Sequence, residues 1–342
     1  MSKLEHIIRE KAYSLGYEKC GIIPIKELED YEIRLNERIE KVPSSNLFYQ
    51  NQKRLTNLQQ LFPWAKSAVI VADHYGKYKI PEQVNGHIGK TYLFEARTDT
   101  GSEGYERSVS MERYLQEIGL KITSDRKFGV IPMRWAAMKA GLGIIRRNNF
   151  FYTESGSWVN LEAWLTDQEM VLKESSNLPE CPKECTCCIK ACPSGSLSSP
   201  FTMNPINCVS FLTSFGRRNL YKDPIYKTFG DWIYGCDACQ DACPMNKGKW
   251  KETYDFPGMD EISLHLTPES IMEMEESYYQ EYIQPKFFYI GPNDLWKWKC
   301  NALCYMQNNY KESYKPYILA ACENENEIIR ELAQMICSKQ FE

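Results

Sequence analysis

The chain has 342 residues, a formal net charge of −4 and 43% apolar residues, with an isoelectric point near 5.8. That length fits about two domains, or three, and the apolar share supports a sizeable core. The acidic balance excludes a strongly basic nucleic-acid binder, leaving room for a local basic face, and no apolar run is long enough to span a bilayer.

Leu4, Ile7, Ile8, Ala12 and Leu15 share one helical face, which predicts an amphipathic helix closed by Gly16. This start has no long apolar core of the secretory kind. With the unpaired look of the cysteines, it predicts a cytoplasmic location. Residues 20–25 read as a strand, 28–41 as a charged, exposed helix, and the stretch from Leu55 to Leu61 as a short helix before Pro63. The unbroken apolar run from Ser67 to Ala72 predicts a strand covered on both faces. Residues 76–104 are polar and glycine-rich. They predict a long loop with one short strand near Thr91 to Phe94, and such loops carry function more often than average. Val109, Tyr114, Leu115 and Ile118 mark a helix ended by Gly119. Another runs from Met133 to Ala140, closed by Gly141-Leu142-Gly143, and a strand is expected from Asn160 to Thr166. Residues 1–175 therefore read as an α/β or α+β layer fold.

Nine of the fourteen cysteines lie between 181 and 243. Cys181, Cys185, Cys188 and Cys192-Pro193 form one run, Cys236, Cys239 and Cys243-Pro244 another, with Cys208 between them. Each run ends in C-x3-C-P, the spacing with which bacterial ferredoxins hold two 4Fe-4S clusters, the last cysteine of each run crossing to the other cluster. Soft thiolates suit iron, and C-x2-C sets two sulfurs on one tight turn. The expected ligand sets are Cys181, Cys185, Cys188 and Cys243 for one cluster, and Cys192, Cys208, Cys236 and Cys239 for the other. The first gap is x3 rather than x2, and Cys187 is a spare beside Cys188. Four-cysteine zinc sites are the competing reading; the two C-x3-C-P endings favour iron–sulfur.

Past the cysteines, Thr267-Pro268-Glu269 has the form of a helix start, threonine as cap and proline in the first turn. From Leu295 onward three helices are expected, over 295–308, 314–322 and 327–338, like a fragment of an α-solenoid. The expected division is 1–175, 176–262 and 263–342. Cys20, Cys300, Cys304, Cys322 and Cys337 read as small core residues. Lys297, Lys299, Lys311 and Lys315 read as a solvated helix face rather than a phosphate-binding one, since acidic residues follow closely.

Several segments together resemble the epoxyqueuosine reductase family. They are LGYEKCGIIPI, LFPWAKSAVIVADHY, KAGLGIIRRNN, GSWVNLEAWLTD, the cysteine runs with IYGCDACQDACP, and WKCNALCYMQNN. The resemblance implies an α+β fold: a cobalamin-binding domain of flavin-reductase or nitroreductase type, a two-cluster ferredoxin-like module and C-terminal HEAT-like helices. It implies electrons from an external low-potential donor, a ferredoxin or flavodoxin, passing through the clusters to a cobalamin. The substrate would be epoxyqueuosine in tRNA or, in a divergent member, a small organic molecule like the organohalides of the related reductive dehalogenases. The acidic balance does not favour tRNA as a partner, and a membrane partner is not expected. Gly141, Leu142, Gly143, Arg146, Ser157 and Trp158 are the expected corrin contacts, although Gly141 also suits a helix C-cap. None of His6, His74, His87 and His265 lies in D-x-H-x-x-G, so the cobalamin would be base-off without a histidine beneath it. Two departures stand out. The family's proton-donating aspartate, in D-x-x-P, is matched by Lys127 when counted from Gly141, or by Gly129 when aligned on Pro132, and its D-Y-H segment is replaced by GSEGYERSVS. Tyr105, Lys127 and Asp125 are the remaining proton-donor candidates. The alternative expectation is a ferredoxin-like electron carrier or a cobalamin-handling protein without a reaction of its own.

Overall fold

A four-stranded antiparallel sheet forms the centre of the N-terminal part. In the computed structural model, which describes residues 3–341 except 96, 101 and 219, it consists of β1 (Lys19–Pro24), β2 (Ser67–His74), β3 (Ile122–Thr123) and β4 (Val159–Thr166), in the order β1-β2-β4-β3. Ala68 pairs with Ile23 on one side and Leu165 on the other. Flanking this sheet are α1 (Lys3–Ser14), α3 (Glu103–Glu117) and α4 (Met133–Lys139), while α2 (Tyr31–Lys41) packs through Tyr31 and Leu35 with Trp135 of α4.

β2 explains its own composition. Successive side chains of a strand point to opposite faces. Val69 and Val71 pack with Ile8 and Ala12 of α1 and Met111 and Leu115 of α3. Ala68, Ile70 and Ala72 pack on the other face with Ala136 and Ala137 of α4. Both faces are covered, so the run is apolar throughout even though its neighbours are antiparallel.

The expected strand near 91–94 is not formed; residues Lys90–Leu93 make one helical turn. The segment is held instead by the chain around Tyr234: the Gly89 amide donates to the Tyr234 carbonyl at 2.7 Å and the Ile233 amide to the His87 carbonyl at 2.8 Å. The long polar stretch is thus packed rather than free. One core joins Tyr75, Leu93 and Trp158 to Tyr234, Phe287 and Trp298, so it crosses the expected boundaries at 175 and 262.

The C-terminal segment is helical as expected: α5 (Leu295–Asn308), α6 (Lys315–Ala321) and α7 (Glu327–Gln340). They share a core built on Cys300, Leu303, Ile318, Leu332 and Ile336. The Thr267 hydroxyl accepts the Ser270 amide at 3.1 Å, the cap that the sequence signals. Lys297 pairs with Asp294 at 3.1 Å and Lys311 with Glu269 at 3.4 Å, so neither forms an open basic face. Among the described residues, no helix is long and apolar enough to cross a membrane.

Candidate functional site

The two cysteine runs fold back on each other through matching one-turn helices, Cys187–Lys190 and Ala238–Asp241. Burial pushes the Cys188 thiol up to about 11, and the neighbours adding to that shift are Cys243, Cys185 and Cys181. Burial likewise raises Cys239, with Cys236, Cys208 and Cys192 adding, and Cys236 feels Cys208 and Cys192. The neighbourhoods reproduce the two expected groups, and Cys243 and Cys192 each lie with the opposite run. Buried thiols resist ionisation, which a polynuclear iron centre reverses by its own charge. Among the described residues, no three His, Cys, Asp or Glu side chains gather tightly enough for a single metal ion; a cubane needs only one thiolate per iron. Cys188 is 6% exposed, whereas Cys187 is exposed.

Residues 146–148 touch both runs. An Arg146 Nη1 lies 3.8 Å from Cys181 Sγ, and Arg147 Nη1 donates to the Cys185 carbonyl at 2.8 Å. Asn148 Nδ2 donates to the Cys239 carbonyl at 3.2 Å and to the Tyr152 hydroxyl at 2.9 Å. Beyond them a buried polar network ties the sheet to the second run. The Ser157 hydroxyl donates to Gln240 Oε1 at 2.8 Å, and the Ser157 amide donates to Asn246 Oδ1 at 2.9 Å.

A cavity of about 550 Å³ lies against the second thiol set. Cys192, Cys208, Cys236 and Cys239 form one wall, and Ser157 and Asn160 part of another. It adjoins a cavity of about 1040 Å³; Lys127, Phe128, Met133 and Arg134 line both. Pockets for drug-sized ligands run to about 1,000 Å³, so the pair suits something larger. Its walls are mostly apolar, and no histidine is among the lining residues of either cavity. These walls fit a base-off corrinoid.

Of the expected site residues, Lys127 and Ser157 line this cavity. Asp125 lines only the larger cavity, and its Oδ1 accepts the Lys127 and Phe128 amides at 2.9 and 3.1 Å. Tyr105 lines neither cavity; its ring lies under the Arg126 guanidinium at 5.5 Å. Gly101, at the head of its segment, lies outside the described residues. Trp158 is 2% exposed and packs edge-on against Tyr75 and Trp250, which makes it core rather than a corrin contact. Gly141, Leu142 and Gly143 are also away from both cavities. A Cβ on Gly141, at φ +77°, would fall 1.8 Å from the Glu174 carbonyl oxygen, and one on Gly143 2.0 Å from that of Tyr152. The glycines therefore serve backbone packing, and Leu142 is fully buried. Arg146 is turned to Cys181 and the Tyr152 ring rather than to a corrin side chain.

Other lining residues escaped notice in the sequence. Arg97 reaches the cavity wall while its Nε binds Glu95 Oε1 and its Nη1 binds the Leu161 carbonyl, both at 2.8 Å. Arg34 and Arg38 of α2 line the larger cavity. Their spacing of four residues, in phase with Tyr31 and Leu35, was the available signal that this face is covered.

The sheet, the cavity and the paired cysteine runs define an iron–sulfur oxidoreductase. Residues 180–246 match the family described as a 4Fe-4S double cluster binding domain. An epoxyqueuosine reductase from Synechococcus sp. (strain CC9605) is 31% identical over 318 residues, covering 88% of this chain and 94% of that protein. The chain belongs to the epoxyqueuosine reductase family. Two solved structures share its fold at 23% identity, each covering 98% of this chain and 90% of the other. One, from Bacillus subtilis with its catalytic loop swung out of the active site, has a TM-score of 0.78; the other, holding an epoxyqueuosine-modified tRNA stem loop, has a TM-score of 0.74.

Proposed function

We propose that the chain reduces epoxyqueuosine in tRNA to queuosine, with electrons passing through two 4Fe-4S clusters to a base-off cobalamin in the double cavity. One observation carries the reading: Cys192, Cys208, Cys236 and Cys239 wall the same cavity as Ser157, Asn160 and Lys127. A ferredoxin-like carrier needs room for its cluster but not the extension of that cavity past Leu161 and Met133 to Lys127. Family membership and the stem loop held by a structural relative support the substrate.

In this reading Cys181, Cys185, Cys188 and Cys243 hold the outer cluster, which takes electrons from a cytoplasmic ferredoxin or flavodoxin. Cys192, Cys208, Cys236 and Cys239 hold the inner one. When bound, the corrinoid would supply a reducible cobalt centre with nucleophilic character, held in the cavity walled by Ser157, Asn160 and Lys127. Removing an epoxide oxygen consumes two electrons and two protons and releases water. Lys127 Nζ is the proposed proton donor, being the candidate that faces both cavities. Met133 and Phe211, which line both cavities, keep water from the chamber. The functional units are 1–175, of nitroreductase type and corrin-binding; 176–262, cluster-binding; and 263–342, HEAT-like.

A second reading, a small organic electrophile, is favoured by one feature: a lysine, not an aspartate, faces the chamber. Both are tested by giving the reconstituted protein and a strong reductant an epoxyqueuosine-containing anticodon stem loop. Queuosine detected by mass spectrometry upholds the tRNA reading. No turnover, with iron and corrinoid both bound, overturns it in favour of a small electrophile.

A further inference from the structure

Of the described residues that line both cavities, three carry side-chain nitrogen or oxygen: Lys127, Arg134 and Tyr289. Arg134 Nη1 is committed to the Asn149 carbonyl at 2.5 Å. That leaves Lys127 and Tyr289 at the junction. Tyr31 and Tyr92 line one cavity each, and both spend their hydroxyls within the protein. Tyr31 donates to Gln52 Oε1 at 2.8 Å, and Tyr92 shares a hydrogen bond with Ser210 Oγ at 2.7 Å. Tyr289 meets its neighbours through its ring, edge-on to Tyr92 at 5.8 Å, Phe215 at 5.6 Å and Phe128 at 6.2 Å. Its hydroxyl has no hydrogen-bond partner among the described residues, and it is not one of the fully enclosed oxygens that lack one, so it opens on the chamber.

Several contacts fix this phenol in place. Tyr289 belongs to the segment that leads into α5. The buried Lys286 Nζ donates to the Glu95 carbonyl at 3.4 Å, and the fully buried Phe287 packs against Tyr234 and Trp298. On the other side the Tyr279 hydroxyl donates to the Gly291 carbonyl at 2.8 Å, and Gln284 Nε2 to that of Ile290 at 3.2 Å. The Lys127 ammonium lies 5.4 Å from the Phe288 ring centre. Lys127 and Tyr289 thus reach the same rim of the chamber from segments far apart in sequence.

Burial raises the Tyr289 phenol above its ordinary 10, with the Arg97 charge drawing it back and Glu95 adding to the rise. It therefore holds its proton at neutral pH and acts as a donor. A phenol in a largely apolar wall usually finds a partner. Here the protein supplies none, so the acceptor belongs to what the chamber holds.

We propose that Tyr289 donates a hydrogen bond to the epoxide oxygen of the substrate. The proposal rests on the epoxyqueuosine reading above. As the carbon–oxygen bond opens, its electron pair stays on oxygen, and a donor already aimed there counts for more in the transition state than in the bound substrate. Lys127 delivers the proton and Tyr289 keeps its own, so the two electrons and two protons of the reduction are unchanged.

The test uses two anticodon stem loops that differ only in that oxygen, one with epoxyqueuosine and one with queuosine. Their binding to the full chain, loaded with iron and corrinoid and kept without reductant, is measured by fluorescence anisotropy. Wild type should favour the epoxyqueuosine loop about three- to tenfold, the worth of one neutral hydrogen bond. Tyr289→Phe keeps the ring and should lose that preference while binding the queuosine loop as wild type does. With reductant its kcat should fall about ten- to hundred-fold, as for a hydrogen bond to a developing charge. Unchanged iron content and queuosine-loop affinity show that the variant is folded. A variant that keeps both the preference and kcat overturns the proposal. Equal weakening of both loops also overturns it, making Tyr289 a stacking surface only. Wild-type turnover alongside either result leaves the epoxyqueuosine reading intact. Wild type that neither prefers the epoxyqueuosine loop nor reduces it overturns both.

Discussion

The Asp125 carboxylate accepts the backbone amide of Lys127 at 2.9 Å. An aspartate that caps its own turn in this way holds the loop's shape, and the residue it presents to the chamber is Lys127. On that division of labour, Lys127→Met lowers kcat for epoxide reduction by roughly 10²–10⁴, the usual worth of a positioned acid, with iron and corrinoid content unchanged. Asp125→Asn keeps an acceptor oxygen for the turn and should remain close to wild type in single-turnover assays. The opposite pattern would make Asp125 the acid.

Iron content tests the thiol sets. Anaerobically reconstituted protein should hold about eight irons per chain, four in each cluster. Cys188→Ser should lose about half of the iron, because Cys188 is buried among Cys243, Cys185 and Cys181. Exposed Cys187 is dispensable on this view, so Cys187→Ser should keep the full complement. Loss of a cluster in Cys187→Ser alone would reassign the ligand.

Arg146 should tune the outer cluster. Its Nη1 is 3.8 Å from Cys181 Sγ, and a cation beside a cluster thiolate favours the more negative, reduced state. Arg146→Gln should therefore lower the potential of one cluster by an amount on the order of tens of millivolts, leaving the other unmoved in an EPR-monitored redox titration. No shift would show that Arg146 serves only to pack against Tyr152.

Lys286 provides a pH signature of stability. Burial pushes its pKa from the ordinary 10.5 down to about 8, with Asp99 and Glu95 pulling only partly back. Below about pH 8 the folded chain carries the buried charge at a cost. Between 8 and 10.5 the unfolded chain binds more protons than the folded one, so this group's contribution to stability improves as pH rises. Lys286→Met should accordingly raise Tm most at pH 7, and the gain should shrink towards pH 10 in calorimetry. A gain independent of pH would trace to packing alone.

Legibility differed by kind of residue. Strands and caps were plain: the Ser67 to Ala72 run, the Thr267-Pro268 start and the C-terminal helices all carry local signals that tertiary packing reinforces. The cysteine pattern is legible because C-x2-C and C-x3-C-P are local spacings, and the structure brings the thiols together in the groups that those spacings imply. Residues 91–94 were misread because their β-like composition is spent on a packed turn against Tyr234. The glycines around Leu142 failed differently: a close approach to a ligand and a close approach to a neighbouring carbonyl leave the same mark in a sequence. The arginines of α2 read as surface charge because much of their covering wall comes from residues about 90 to 250 positions away, Asp125 to Tyr289.

The buried Ser157–Gln240–Asn246 network and the exchange of Cys192 and Cys243 between runs bear on biosynthesis. A ribosome delivers Cys181, Cys185 and Cys188 well before their fourth partner. It delivers Ser157 before Gln240 and Asn246 exist to meet it. On the proposed ligand sets, neither cluster can be completed on a nascent chain that stops before Cys239, and the outer one must wait for Cys243. Metal insertion is thereby postponed until the sheet can be locked to the second run, so an emerging chain presents the iron-delivery machinery with a half-built socket rather than a finished one.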